Sequence, residues 1–246
     1  MNVSTVYLGG NSWIIELNDT KILIDPWLTG SLEFPIGKWL IEGKLAKSIE
    51  IPKDIDLILL TQGQPDHTHI ETLKKINLNI PVIGSSSAIK IAKSIGFKST
   101  TFLKPGMNSD FQGIEILATK GAPVPTIENG YIIRTDNSSI YIEPHGFIDK
   151  EIVNTKLDIV ITPVINISIP IFGSFIRGKD VLCALIDMYK PSYVLASTVG
   201  GDISFKGILT NFFKQEGTFL DSQSKFSGKC NLIDPVPGRR YNFIDS

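Results

Sequence analysis

The chain has 246 residues, of which 42% are hydrophobic and 20% are charged. This length and composition are typical of one globular domain with one core, so we predict a single domain over residues 1–246. Because 24 Lys and Arg stand against 25 Asp and Glu, the formal net charge is -1, and this balance disfavours generic nucleic-acid binding as a function.

The amino-terminal part of the chain begins with three short strand patterns. Residues 4–8, 12–17 and 21–24 are strand-like runs joined by tight turns of Gly, Asn and Asp, which predicts an antiparallel meander. Residues 55–61 form a run of strand length that is apolar apart from Asp56 and Thr61, as expected of a strand that is covered on both faces. The elements predicted beyond it are helices at 70–76 and 85–95 and strands at 81–84 and 100–103.

The carboxyl-terminal part repeats this order of hairpins followed by strand–helix units. Its predicted elements are strands at 114–118, 130–135, 139–143, 157–162 and 193–196 and helices at 178–189 and 211–216. Two such halves predict the α/β (α+β) class. The expected architecture is a four-layer αββα sandwich, in which two mixed β-sheets pack face to face with helices outside.

Two motifs at predicted strand ends resemble the metallo-β-lactamase-fold hydrolases. The third strand ends in Asp25-Pro26-Trp27, and the strand at 55–61 leads into Gln62-Gly63-Gln64-Pro65-Asp66-His67. The second motif stands where that family has His-x-His-x-Asp-His. The resemblance covers nearly the whole chain and is strongest to a divergent branch in which a Gln-Gly segment replaces the His-x-His half. It implies a metallo-β-lactamase-like fold.

The resemblance also implies metal-dependent hydrolysis, since a bound divalent ion acidifies water. Gln62 and Gln64 stand where the first metal's histidines are expected, and residues 119–122 offer no third one. The last histidine position of the family falls near Ser197 and Thr198. A neutral amide is a weak ligand, so we predict that a two-metal centre is absent.

The second metal site of the family is partly retained. Asp66 and His67 match its Asp-His pair, and Glu143 stands where a bridging Asp is expected. His145 follows two residues later on the same side of an extended segment, whereas His69 is a weaker candidate because it enters a helix. We predict that Asp66, His67, Glu143 and His145 are catalytic, converge in one cleft and hold one divalent metal, Zn, Fe or Mn.

Each of these polar residues also has a structural interpretation. Asp66 can cap the helix that follows it instead of binding a metal. Asp25 is expected to orient His67 or cap a loop, a supporting role outside the reaction. Gln62 and Gln64 are expected to bond neighbouring backbone or to contact a polar substrate.

Three functions remain open at this point. The favoured one is single-metal hydrolysis of an ester, amide, lactone or phosphodiester, because the site position of the fold still concentrates ionisable residues. The alternative is a metal-free, non-catalytic member of the fold that binds a small molecule or a protein in the former active-site cleft. A weaker third is metal-free acid–base catalysis by Glu143 and His145.

The sequence also predicts where the protein works. The amino terminus carries no basic leader, and no segment approaches 18 consecutive apolar residues. Cys183 and Cys230 lack the CxxC spacing of a dithiol or zinc knuckle. We therefore expect a cytoplasmic protein with a small-molecule substrate or ligand and no membrane partner.

Overall fold

The computed structural model describes residues 2–34, 37–123, 127–152, 155–170, 173–198, 200–201 and 203–244. The chain divides into two compact units. The first unit comprises Met1–Lys104, Gly200–Asn211 and Val236–Ser246, and the second comprises Pro105–Val199 and Phe212–Pro235. The single domain over residues 1–246 stays a prediction.

Strands and helices alternate along the described residues. The strands are β1 Asn2–Gly9, β2 Ser12–Leu17, β3 Thr20–Ile24, β4 Ser31–Glu33, β5 Glu42–Leu45, β6 Leu57–Leu60, β7 Val82–Gly84, β8 Thr100–Phe102, β9 Asn108–Phe111, β10 Ile114–Pro123, β11 Ile127–Thr135, β12 Ser138–Ile142, β13 Ile159–Thr162, β14 Asn166–Ile169, β15 Gly173–Arg177, β16 Tyr193–Ala196, β17 Ile203–Lys206, β18 Lys214–Glu216, β19 Asn231–Ile233 and β20 Arg240–Ile244. The helices are α1 Ile70–Leu73, α2 Ser86–Ile95, α3 Gly178–Tyr189 and α4 Phe219–Phe226, with a 3-10 helix at Ile208–Phe212.

The first unit is built on a seven-stranded sheet in the order β20-β1-β2-β3-β6-β7-β8. The predicted meander is confirmed, since β1, β2 and β3 pair antiparallel. β6 then pairs parallel with both β3 and β7. All four residues of β6 are buried, which explains its unbroken apolar sequence. A small sheet of β17, β5 and β4 completes the unit.

The helices of the first unit follow their capping residues. Ser85 accepts the amide of Ala88 at the start of α2, and Gly96 ends the helix with a φ of 106°. α1 ends at Leu73, earlier than the predicted residue 76, because the amides of Lys75 and Ile76 bond three residues back in tighter turns. No helix in the described part of the chain is long and apolar enough to cross a membrane.

The second unit repeats the arrangement with a seven-stranded sheet in the order β19-β16-β13-β12-β11-β10-β9. Its strands β9 to β12 pair antiparallel, and β12, β13, β16 and β19 pair parallel. α3 has the predicted bounds and buries Leu182, Leu185, Ile186 and Tyr189 at helical spacing. β14, β15 and β18 form a small separate sheet. The α/β (α+β) class with two mixed sheets is confirmed.

One predicted helix is wrong. Residues 211–216 contain the end of the 3-10 helix and then β18, which pairs antiparallel with β14. The 3-10 helix buries none of its residues, so no apolar face stabilises a longer helix there. β10 also runs to Pro123, beyond the predicted end at residue 118.

Both units place an acidic residue directly after the last strand of the meander. In the first unit the backbone N–H of Asp25, after β3, donates to the carbonyl of Leu59 at 3.1 Å. In the second unit the N–H of Glu143, after β12, donates to the carbonyl of Ile161 at 3.0 Å. Each bond ties the acidic residue to the first parallel strand, β6 or β13. The first predicted site residue of each unit, Asp25 or Glu143, therefore lies directly after the end of β3 or β12.

Candidate functional site

Asp25 and His67 form a buried pair in the first unit. Oδ2 of Asp25 lies 2.7 Å from Nδ1 of His67, and the side chains are 1% and 0% exposed. Thr61, directly after β6, donates to the same carboxylate through its backbone N–H at 2.8 Å and its hydroxyl at 2.5 Å. Burial raises the pKa of Asp25, although His67 and the bonds from Thr61 oppose this. Asp25 thus holds one edge of the imidazole in a fixed orientation.

The loop that presents His67 is held by backbone carbonyls of the two glutamines. The carbonyl of Gln64 accepts the N–H groups of His67 at 3.0 Å and Thr68 at 2.7 Å. The carbonyl of Gln62 accepts the hydroxyl of Thr68 at 2.5 Å. Gln62 is buried, and Gln64 is half-buried. The main chains of both residues therefore shape the loop, whereas an imidazole at either position would have offered a ligand.

Gly63 brings this loop close to the start of α2. Its N–H donates to the hydroxyl of Ser87 at 2.9 Å. A Cβ at Gly63 would lie 2.8 Å from Cβ of Ser87 and 2.9 Å from its carbonyl carbon. Since a side chain has no room there, glycine is required for this close approach.

Asp66 and Asn11 contact the other edge of His67. Oδ2 of Asp66 lies 3.3 Å from Nε2 of His67. The Asn11 amide donates to Oδ2 of Asp66 at 3.4 Å and lies 3.2 Å from Nε2 of His67. Burial alone would lower the pKa of His67, but the negative charges of Asp66 and Asp25 raise it well above its usual value. The surroundings of Nε2 therefore favour a positive charge.

This arrangement fits a divalent metal. Metal-bound histidines generally have their second ring nitrogen held by a carboxylate, as Asp25 holds Nδ1 here. Two ligands at the usual distances from a tetrahedral ion are about 3.3 Å apart. The separation of 3.3 Å between Nε2 of His67 and Oδ2 of Asp66 agrees with this value. Imidazole and carboxylate are also donors that Zn, Fe and Mn accept.

His69, the weaker candidate, has a structural role. Its Nδ1 accepts the N–H of Thr72 at 3.3 Å and caps α1. Its Nε2 lies 3.2 Å from the carbonyl oxygen of Ser31, to which a protonated Nε2 donates. Burial lowers the pKa of His69, which favours the neutral ring that this bonding needs. The helix cap is thus His69, and Asp66 stands before it.

In the second unit, Glu143 holds the turn that presents His145. Its carboxylate accepts the N–H of Phe147 at 2.6 Å and that of His145 at 3.4 Å. The hydroxyl of Thr198 donates to the carbonyl of Pro144 at 2.7 Å. Burial and the charge of Glu128 raise the pKa of Glu143 to about 7. This buried carboxyl is thus poised to change its protonation near neutral pH.

His145 lies beside a second carboxylate that the sequence did not single out. Oε1 of Glu128 lies 2.7 Å from Nδ1 of His145, and the two side chains are 0% and 6% exposed. Glu128 belongs to β11, whose predicted start at residue 130 left it outside the strand. In the sequence Glu128 is a charged residue next to an apolar strand run, and this pattern is too common to indicate a site.

The structure thus brings the predicted residues together in two groups. In the first unit His67 contacts both Asp25 and Asp66. Thr61 bonds Asp25, and Asn11 bonds Asp66. Within the second unit Glu143 contacts the backbone of His145, joined by Glu128. Convergence of the two groups in one cleft stays a prediction.

Comparison with known proteins identifies the class to which this fold and these residues belong. The Beta-lactamase superfamily domain model matches residues 5–197, and the chain belongs to this superfamily. The solved structure of Igni18, a metallo hydrolase from Ignicoccus hospitalis, has a TM-score of 0.71 at 16% identity and covers 100% of both chains. The metallo-β-lactamase-like αββα fold predicted from the motifs is therefore confirmed.

Two curated relatives match the chain in sequence over part of its length or most of it. A UPF0173 metal-dependent hydrolase of Dinoroseobacter shibae is 26% identical over 147 residues, covering 55% of this chain and 60% of that protein. Another from Korarchaeum cryptofilum is 25% identical over 206 residues, covering 78% of this chain and 81% of that protein. The match thus spans 60% of the length of the Dinoroseobacter shibae relative.

Proposed function

We propose that this protein is a hydrolase that uses a single divalent metal and acts on a small-molecule substrate. The geometry around His67 carries the proposal, because Asp25 holds Nδ1 while Nε2 and Asp66 have the separation of two ligands to one ion. Relatives named metal-dependent hydrolases and the metallo hydrolase Igni18 support it.

Asp66 and His67 would supply ligands from the first unit, and Glu143 and His145 complete the proposed set. A divalent metal in such a set supplies water with a pKa lowered to about 7, which makes hydrolysis accessible at neutral pH. The protein's own residues prepare the donors for this role. Asp25 holds the proton of His67 on Nδ1, so that Nε2 keeps its lone pair for the metal.

We propose one metal per chain because the donors for a second are missing. Gln62 and Gln64 hold the loop through their carbonyls, and Thr119 provides only a hydroxyl where an imidazole is expected. Neutral oxygen donors bind Zn, Fe or Mn weakly. The degenerate half of the motif is then free to contact the polar part of an ester, amide, lactone or phosphodiester.

Elemental analysis of protein expressed with added Zn, Fe or Mn tests the proposal. We expect about one metal per chain, and hydrolysis of at least one compound in a panel of these four substrate classes that chelator abolishes. The double variant D66A/H67A should lose the metal. The matched control is D56N, because Asp56 accepts the N–H of Lys21 at the opposite end of β3.

Two results would overturn the proposal. Two tightly bound ions per chain in native mass spectrometry would contradict the single-metal centre. A chain that takes up none of the three metals would favour the alternative, a non-catalytic member of the fold that binds a small molecule or protein.

A further inference from the structure

Glu128 is a buried carboxylate that the proposed mechanism leaves without a role. Its side chain is fully buried, and neither of its carboxylate oxygens has a hydrogen-bond partner among the described residues. Burying a carboxylate is costly unless a specific partner compensates for the lost water. Its nearby partner is Nδ1 of His145, 2.7 Å from Oε1.

The neighbouring strand makes room for this carboxylate. Gly121 lies in β10, which pairs antiparallel with β11. A Cβ at Gly121 would lie 2.6 Å from Cγ of Glu128 and 3.0 Å from its carbonyl oxygen. Because the 2.6 Å contact is shorter than a real Cβ allows, a larger residue at position 121 would displace the side chain of Glu128. Glycine at position 121 therefore leaves the space that the Glu128 side chain occupies.

The backbone of His145 is fixed independently of Glu128. Its carbonyl accepts the N–H of Arg177 at 2.8 Å. Gly146 has a φ of 73°, and a Cβ there would lie 2.5 Å from the backbone nitrogen of Gly178. These contacts hold the main chain and leave the imidazole to be oriented by what touches its ring. Glu128 supplies that contact at Nδ1.

At His67 a carboxylate lies at the same distance, since Oδ2 of Asp25 is 2.7 Å from Nδ1 and the two atoms are hydrogen-bonded, whereas the contact between Glu128 and His145 is an ion-pair separation. In both units a buried carboxylate thus faces Nδ1 of an imidazole that follows a strand end. We propose that Glu128 is a positioning residue that keeps the proton of His145 on Nδ1 and leaves the Nε2 lone pair for the metal. This inference rests on the proposed function, in which His145 is a ligand.

The first test is made on the wild-type protein and needs no metal. In 15N-labelled, chelator-treated wild-type protein, the nitrogen shifts of the His145 ring report which nitrogen is protonated, and H145Q assigns the signals. We expect a protonated Nδ1. An unprotonated Nδ1 would overturn the proposal, whether or not the protein binds metal.

The second test measures metal affinity by chelator competition in E128L, which removes the acceptor, and E128Q, which keeps one. Loss of such a supporting group lowers metal affinity about 10–100-fold, so we expect this loss for E128L and a smaller one for E128Q. The control is D158N, since Asp158 binds Ser139 at the other end of the same sheet. We expect D158N to bind metal like wild type.

The outcomes separate the two proposals. If wild type binds metal and E128L binds it equally well, Glu128 has no positioning role, and the proposed function stands. If wild type binds no metal, the proposed function fails, and the Nδ1 measurement alone decides the role of Glu128. If E128L does not fold, E128Q and the wild-type spectrum carry the decision.

Discussion

Oδ2 of Asp25 lies 2.7 Å from Nδ1 of His67, and both side chains are buried. The pair joins the end of β3 to the loop after β6, because Thr61 donates to the same carboxylate from the last position before that loop. Asp25 therefore sets both the position of the loop and the orientation of the ring that it presents.

Removal of this carboxylate should destabilise the protein and weaken metal binding together. Breaking a buried ion pair from one side costs about 3–5 kcal/mol, which we expect for D25A in urea unfolding. D25N should cost less, because its amide oxygen can still accept from Thr61. Both variants should lose metal affinity about 10–100-fold. Wild-type affinity in a folded D25N variant would contradict the orienting role of Asp25.

Asp66 should behave as a ligand and not as a helix cap, because His69 caps α1. We expect D66N and D66A to be almost equally damaging, since a neutral amide does not replace an anionic donor. At a metal concentration of 100 times Kd, wild type gains about 2.7 kcal/mol from binding. Both variants should lose most of this gain. In the presence of chelator, wild type and the two variants should unfold at nearly the same temperature. A D66N variant that loses little stability, and whose stability does not change with chelator, would argue against a metal.

His69 should affect stability without affecting metal content. H69A removes the side chain that accepts the N–H of Thr72 and lies within hydrogen-bond distance of the Ser31 carbonyl. Loss of an N-cap costs about 0.5–2 kcal/mol, which denaturant unfolding of H69A would measure. H69N keeps a capping acceptor and should cost less. Reduced metal content in H69A would instead place His69 among the ligands.

The stability of the chelator-treated protein should depend on the pH near neutrality. The pKa of Glu143 is raised from 4.5 to about 7, mainly by burial and by Glu128. A raised carboxyl pKa means that the folded state binds the proton more tightly than the unfolded state does. The contribution is present below the unfolded pKa and is lost as the pH rises through about 7.

The variant E143Q isolates this contribution of Glu143 to the stability. Its amide oxygen does not titrate, so we expect a flatter dependence of unfolding free energy on pH between pH values of about 4 and 8. The difference in slope corresponds to at most about 3 kcal/mol over this interval. Identical pH profiles for E143Q and wild type would show that Glu143 titrates normally.

The sequence by itself determined much of the fold. Short apolar runs separated by turn residues predicted the meander. The unbroken apolar run before Thr61 predicted a strand buried on both faces, because the pattern of apolar residues along a strand reflects which of its faces are buried. Ser85 and Gly96 marked the ends of α2 through their capping chemistry. The motif ending in Asp66-His67 indicated the superfamily, since its residues are adjacent in the chain and can be recognised without the tertiary structure.

Only the tertiary structure decided which side chains surround each imidazole. Asp25 and His67 are 42 positions apart, and the pairing of β3 with β6 brings them together. Glu128 reaches His145 from another strand, and no local pattern distinguishes its carboxylate from an exposed one. Strand register and burial, which depend on contacts distant in sequence, convert these ordinary acidic residues into partners of a histidine.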